Sequence, residues 1–248
     1  MSDAAVTYTS YLKVDELLSL QVPRSAGPEH DELLFIVVHQ VYELWFKQVL
    51  WELDHVVELL DGDDQVRAGQ TLRRVLAILK VMVAQMDVLE TMTPLEFLSF
   101  RARLDSASGF QSVQFRELEM LLGQKDPAAV ERASASPAAH ARLSARLAAP
   151  SVWDAFRAHL ARRGYEVGDD AQDALLDAYR SDPATAALCE RLVDLDEGVQ
   201  EWRYRHVKMV ERTIGVRPGT GGSSGAEYLR TTLGRPLFPD LWAIRVRL

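Results

Sequence analysis

Apolar positions recur at steps of three and four along most of the chain, and the elements they predict are helices. Phe35, His39, Tyr42, Phe46, Val49, Leu53, Val56 and Leu60 share one face, while Gln40, Glu43, Lys47, Asp54 and Glu58 occupy another. That pattern predicts an amphipathic helix over about residues 29–60, ended by Asp61-Gly62-Asp63. Leu72, Leu76, Leu79, Val83, Met86 and Leu89 mark a second helix over about 66–92. Thr93-Pro94-Leu95-Glu96 reads as a capping box with proline at the first helical position, opening a short helix that carries Phe97, Phe100 and Arg101. DSASG (105–109) is a turn, and 110–122 is helical again up to Gly123. Leu192, Leu195, Val199, Trp202, His206, Met209 and Thr213 form the stripe of a last long helix over about 189–214, stopped by Gly215. No alternating strand pattern and no repeat interrupts this series. The fold class is all-α, a helical bundle forming a single domain over 1–248, with an N-terminal arm at 1–28. Residues 125–188 turn rich in Ala, Arg, Ser and Pro, and read as a peripheral, weakly apolar insert of small helices with a loop at 164–170.

Composition narrows the function classes. A 248-residue chain with 48% hydrophobic residues can bury a sizeable core, and a net charge of −8 argues against a nucleic-acid partner. A small molecule or a second copy of the chain fits better. Cys189 is the sole cysteine, which excludes an internal disulfide and suits a reducing cytosol. MSDAAVTYTS shows no signal-peptide pattern, and the most apolar stretch, 33–38, falls short of the ~20 residues that span a bilayer. The expectation is a cytoplasmic protein with no membrane segment.

The chemistry-bearing candidates stand on the helix seams. A histidine on an apolar face is usually a satisfied core residue, but His39 and His206 lie on two such faces far apart in sequence, and a pair of this kind can hold a buried iron or haem between helices. Arg101 is either a surface arginine with its stem laid on apolar surface or a fork for a substrate carboxylate. RPGTGGSSG (217–225) lacks the GK[ST] ending of a nucleotide-binding loop, leaving an anion nest centred on Thr220 or a plain linker. Glu52 and His55 have the Glu-x-x-His spacing of di-iron bundles, but the second copy which that chemistry needs is missing.

Five stretches together resemble the tryptophan 2,3-dioxygenase family of haem enzymes. They are TYTSYLKVDELLSLQ (7–21), HDELLFIVVHQVYELWFKQVLWELD (30–54), LETMTPLEF (89–97), SFRARLDSASGFQSVQFR (99–116), and WRYRHVKMVERTIG (202–215) with GTGGSSG (219–225). They run in family order from near the N-terminus to near the C-terminus, and the resemblance is weak only over 125–188. It implies an all-α homotetramer with haem b and its iron in each subunit. The substrates would be O2 and tryptophan or a tryptophan-derived small molecule, in tryptophan catabolism. His206 matches the iron ligand and His39 the distal histidine that meets the indole N–H, with Phe35 and Phe97 as pocket neighbours. Arg101 matches the carboxylate-binding arginine, and Gly219 and Thr220 match the mobile loop over the amino-acid end. Ser108 and Gly109 match the turn over the haem. Tyr8, Tyr11 and Leu12 match arm residues that complete a neighbouring subunit's pocket. The implied reaction inserts both oxygen atoms across indole C2–C3 to give N-formylkynurenine. The same superfamily also contains monooxygenases that turn tryptophan derivatives into oxindoles, and a non-catalytic haem sensor or carrier is a third reading. Val216-Arg217-Pro218 stands where the family typically reads Phe-Lys-Arg.

Overall fold

A computed structural model of the chain describes residues 5–221 and 224–248, so the first four residues of the arm and residues 222 and 223 of the glycine-rich loop lie outside it. The helices in chain order are α1 (Tyr8–Leu12), α2 (Val14–Leu18), α3 (Asp31–Asp61), α4 (Gln65–Leu89), α5 (Pro94–Arg101), α6 (Val113–Leu121), α7 (Pro127–Arg132), α8 (Pro137–Ala148), α9 (Val152–Arg162), α10 (Gln172–Ser181), α11 (Pro183–Ile214), α12 (Ala226–Arg230) and α13 (Pro239–Ala243). The described residues contain no strand, and the fold is all-α as the periodicity predicts.

Two long helices pack on a common third. The turn between α3 and α4 is short, with Asp63 in the left-handed region (φ 58°) and Asp64 capping Arg67, so the two helices return as neighbours. α4 then lies along both α3 and α11. Tyr42, Phe46, Val49, Leu53, Val56 and Leu60 of α3 are buried, as are Leu72, Leu79, Val83, Met86 and Leu89 of α4 and Leu192, Leu195, Val199, Trp202 and Met209 of α11. The predicted stripes are the core, while Phe35, His39 and His206 stay partly exposed because they face a cavity. α5 starts as expected: Glu96 N–H donates to Thr93 Oγ1 at 3.3 Å and Thr93 N–H to Glu96 Oε2 at 2.6 Å.

Three expectations need correction. Residues 110–122 are not one helix: a 3-10 turn at Gly109–Gln111 precedes Ser112, whose side chain caps α6 through Phe115 N–H. α11 begins two turns before the predicted start, because Pro183 and the Asp182 cap open it. Residues 125–188 are not a peripheral insert. Val152, Phe156 and Leu160 of α9 have zero exposure and pack on α3, and Leu175 of α10 and Leu188 of α11 are equally part of the main core.

The apolar run around residue 33 is also longer than read from sequence, since by length and composition alone α3 could cross a membrane. In the fold one side of it lies against α4, α6 and α9, while Leu33, Val37, Leu44 and Trp51 stay exposed on another. The buried Glu52 on it is held by Arg74 at 2.9 Å and Gln48 at 2.7 Å, which accounts for the glutamate of the discarded di-iron spacing. The C-terminal segment is fastened by Asp196 of α11, a fully buried carboxylate that accepts from Leu237 N–H (2.8 Å), Phe238 N–H (3.0 Å) and Trp242 Nε1–H (2.9 Å).

Asp182 links α10 to α11 and yields a stability prediction. Burial alone would raise its pKa. Hydrogen bonds from the Thr185 hydroxyl and backbone, with Arg163 beside it, outweigh burial and bring it down to about 2. A carboxyl depressed in the folded state contributes stability above the unfolded pKa of about 3.9, and that contribution is lost as pH falls toward the folded value. Asp182→Ala should therefore cost about 1–2 kcal/mol at neutral pH, the usual cost of losing such a cap. The gap in Tm between wild type and Asp182→Asn should narrow from about pH 4 downward. A gap independent of pH in a thermal-unfolding series would contradict this account.

Candidate active site

A cavity of about 260 Å³ opens between α3, α5, α6, α11 and the loop after α11. Its floor is aromatic: Phe46 and Phe115 lie 5.5 Å apart, and Phe115 lies 5.1 Å from Trp202. One wall is formed by Phe35 and Phe97, with ring centroids 5.7 Å apart, and the fully buried Phe100 backs both at 5.5 Å. Such rings are stiff and bulky, so they frame a void instead of collapsing into it.

Both histidines enter this cavity. His39 Nδ1 lies 2.7 Å from the Phe35 carbonyl oxygen, one turn back on α3. A carbonyl only accepts, so Nδ1 carries the proton and Nε2 keeps its lone pair. Burial lowers the His39 pKa, against opposing effects from that hydrogen bond and from Glu43. The Phe35 ring sits 4.0 Å from the imidazole. His206, on α11, lies parallel to Trp202 at 5.3 Å and 8°. Burial, with His39 as the lesser cause, pushes its pKa down to about 4, so the ring is neutral at physiological pH with its ring lone pair available.

The other predicted residues fall into two groups. Phe35, Phe97, Arg101, Ser108, Gly109, Gly219 and Thr220 line the cavity beside the histidines. Arg101 Nη2–H donates to the Pro218 carbonyl at 2.6 Å, whereas its Nε is buried without a partner. The Thr220 hydroxyl donates to the Ala107 carbonyl. Gly221 lies so close to the turn that a Cβ would come within 2.6 Å of Ser108 Cβ. Gly225 has φ +65°, and a Cβ there would meet the Arg217 carbonyl at 2.6 Å, so both positions demand glycine. The second group, Tyr8, Tyr11 and Leu12, does not reach this chain's cavity: the two tyrosines are about three-quarters exposed.

Several lining residues carry no periodic signal that marks them as functional. Arg203 is buried. Burial lowers its pKa, against the opposing pull of Glu119, and it donates to Gln124 at 2.6 Å. Trp202 was legible only as a core position. Among the described residues no group of three or more His, Cys, Asp or Glu side chains could hold a bare metal ion.

Comparison with known proteins identifies the family. The family model described as tryptophan 2,3-dioxygenase matches residues 1–142 and 143–248. The tryptophan 2,3-dioxygenase of Herpetosiphon aurantiacus is 59% identical over 259 residues, covering 98% of this chain and 99% of that protein. Those of Anaeromyxobacter sp. (strain K) and Caulobacter vibrioides are 57% and 45% identical, over 98% of this chain in each case. The matches run through the 125–188 region, which had resembled the family only weakly. The chain belongs to the tryptophan 2,3-dioxygenase family.

Proposed function

We propose that this chain is a haem-dependent oxygenase that adds both atoms of O2 across C2–C3 of the L-tryptophan indole, giving N-formylkynurenine. The observation that carries the reading is His206, a neutral imidazole with no hydrogen-bond partner among the described residues, lining an apolar cavity that His39 also lines. A single imidazole cannot hold iron alone, and no group of three or more ligating side chains converges among the described residues. A porphyrin, which brings its own four nitrogens, fits that donor set. His206 would hold the iron, and the Ser108-Gly109 turn at the cavity rim would take the polar edge of haem b. Bound haem supplies the redox chemistry that activates O2.

The remaining roles belong to this chain's side chains. His39 presents Nε2 as an acceptor and receives the indole N–H, and its lowered pKa keeps it from becoming a cation that would repel that group. Phe35 and Phe97 form an apolar slot for the indole and exclude water from it. Arg101 binds the substrate carboxylate. The Thr220 hydroxyl spends its proton on Ala107, which leaves its oxygen to accept from the substrate ammonium. All of these groups bind and orient, so catalysis by the protein is chiefly positioning.

The exposed arm supports a shared pocket. Tyr8, Tyr11, Leu18 and Val22 form an exposed apolar run, and Leu33, Val37, Leu44 and Trp51 expose a stripe along α3. Apolar surface on this scale marks a protein interface. The arm would complete a neighbouring subunit's site within a homotetramer, in tryptophan catabolism in the cytoplasm.

Four measurements test these assignments. His206→Ala should lose stable haem incorporation, while His39→Ala should keep haem and lose turnover; the opposite outcome would exchange the two roles. Turnover of tryptophan under heavy-isotope O2 should place two labelled atoms in the product, whereas one labelled atom in an oxindole would identify a monooxygenase. Arg101→Leu should raise the KM for tryptophan by roughly one to two decades, matching a charge-assisted hydrogen bond of about 1.5–3 kcal/mol. Inhibition by tryptamine, which lacks the carboxylate, should not respond. Deleting residues through Leu12 should weaken both tryptophan affinity and assembly, and wild-type kinetics from the truncated protein would exclude the shared pocket.

A further inference from the structure

We infer that the Pro218 backbone carbonyl is a positioning element for substrate recognition. It sets the plane of the Arg101 guanidinium, so that a rigid residue at 218 determines how strongly the site prefers substrates that carry a carboxylate. This rests on the assignment of the carboxylate to Arg101 made above.

An arginine side chain is long and freely rotating, and a fork that must be ordered at the moment of binding loses affinity to that ordering. Here the ordering is done in advance. Nη2–H donates to the Pro218 carbonyl at 2.6 Å, across 117 positions of sequence. The neighbouring Nε is buried without an acceptor, an arrangement that is unfavourable until something supplies one. Among the described residues no carboxylate pairs with Arg101, so its positive charge is uncompensated within the chain. A bound carboxylate supplies both the missing acceptor and the missing charge.

The carbonyl that holds the fork is itself held. On its C-terminal side Thr220 is bonded to the Ala107 carbonyl and Gly221 is pressed against Ser108. On its N-terminal side the Arg217 carbonyl is packed against Gly225. Between these anchors proline fixes φ near −65° and offers no N–H that could bond elsewhere. With φ fixed by the ring, only ψ of residue 218 is left to turn its carbonyl, and the anchors on both sides restrict that turn, so the guanidinium follows a held group. Glycine at this position keeps the carbonyl but frees its direction.

The test compares Pro218→Gly, Pro218→Ala and wild-type holoenzyme by steady-state kinetics with L-tryptophan and by competitive inhibition with tryptamine. Pro218→Gly should raise the KM for tryptophan roughly five- to tenfold with kcat within about twofold, the signature of lost binding and not of lost chemistry. The inhibition constant of tryptamine should stay constant, and Pro218→Ala should fall between wild type and glycine. In the Arg101→Leu background Pro218→Gly should have no further effect on tryptophan, because the two changes act through one contact. Equal effects on tryptophan and tryptamine, an unchanged KM, or additive effects in the double variant would overturn the inference. If Arg101→Leu erases discrimination between the two ligands while Pro218→Gly preserves it, only the role of Pro218 fails. If Arg101→Leu itself preserves discrimination, the carboxylate assignment fails with it.

Discussion

The packing of α3 and α11 against α4 is the constraint on which the rest of the molecule depends. Protein interiors close up wherever side chains can reach, so a cavity between helices has to be held open. α4 does this as a shared spine: each long helix lies along it, and a space remains beside the pair. The floor of that space is Phe46, Phe115 and Trp202, rings in mutual contact that leave little freedom to slump. His39 and His206 then enter from the two long helices with their backbones already fixed. His206 is neutral and has no hydrogen-bond partner among the described residues, and a group that bound it in the folded state alone would stabilise that state by mass action.

The same residue type does two different jobs in this cavity, and the partners decide which. Arg203 is buried among Glu119, Gln124 and two backbone carbonyls, so its charge is neutralised and its donors are taken. It fixes α11 to α6 and offers little to a ligand. Arg101 has one carbonyl and a buried Nε with no acceptor. Burial of an arginine is therefore a poor indicator of function, and an incomplete set of partners is a better one.

What could be read from the sequence follows from the same physics. The stripes of α3, α4 and α11 were legible because a long helix repeats its buried positions enough times for the period to show, and the Thr93–Glu96 box because both of its bonds are local. Residues 125–188 misled because their alanines, serines and arginines dilute the apolar signal over short helices. Val152, Phe156 and Leu160 do step by four after a Ser151–Asp154 capping box, and that box was the signal which could have placed α9 in the core. Asp196 gave no warning at all, since the backbone amides it binds lie more than forty positions away.

The least legible part of the site is the half around Arg101 and Thr220, and the reason is chemical. Helix-borne side chains announce themselves by periodicity, whereas this end is assembled from backbone: the Pro218 carbonyl on Arg101, the Ala107 carbonyl under Thr220, and two glycines required by close approach. Backbone groups are the same at every residue, so sequence marks them only indirectly, through the glycines and prolines that permit their geometry. The aromatic and histidine half of the cavity, which the apolar stripes specify, suits an indole and a flat cofactor. The half built from turns, with Arg101 and Thr220, would on the proposed reading sort ligands by their charged groups. On the proposed reading, specificity for an amino acid over a bare indole would reside in the part of the fold that side-chain pattern describes least.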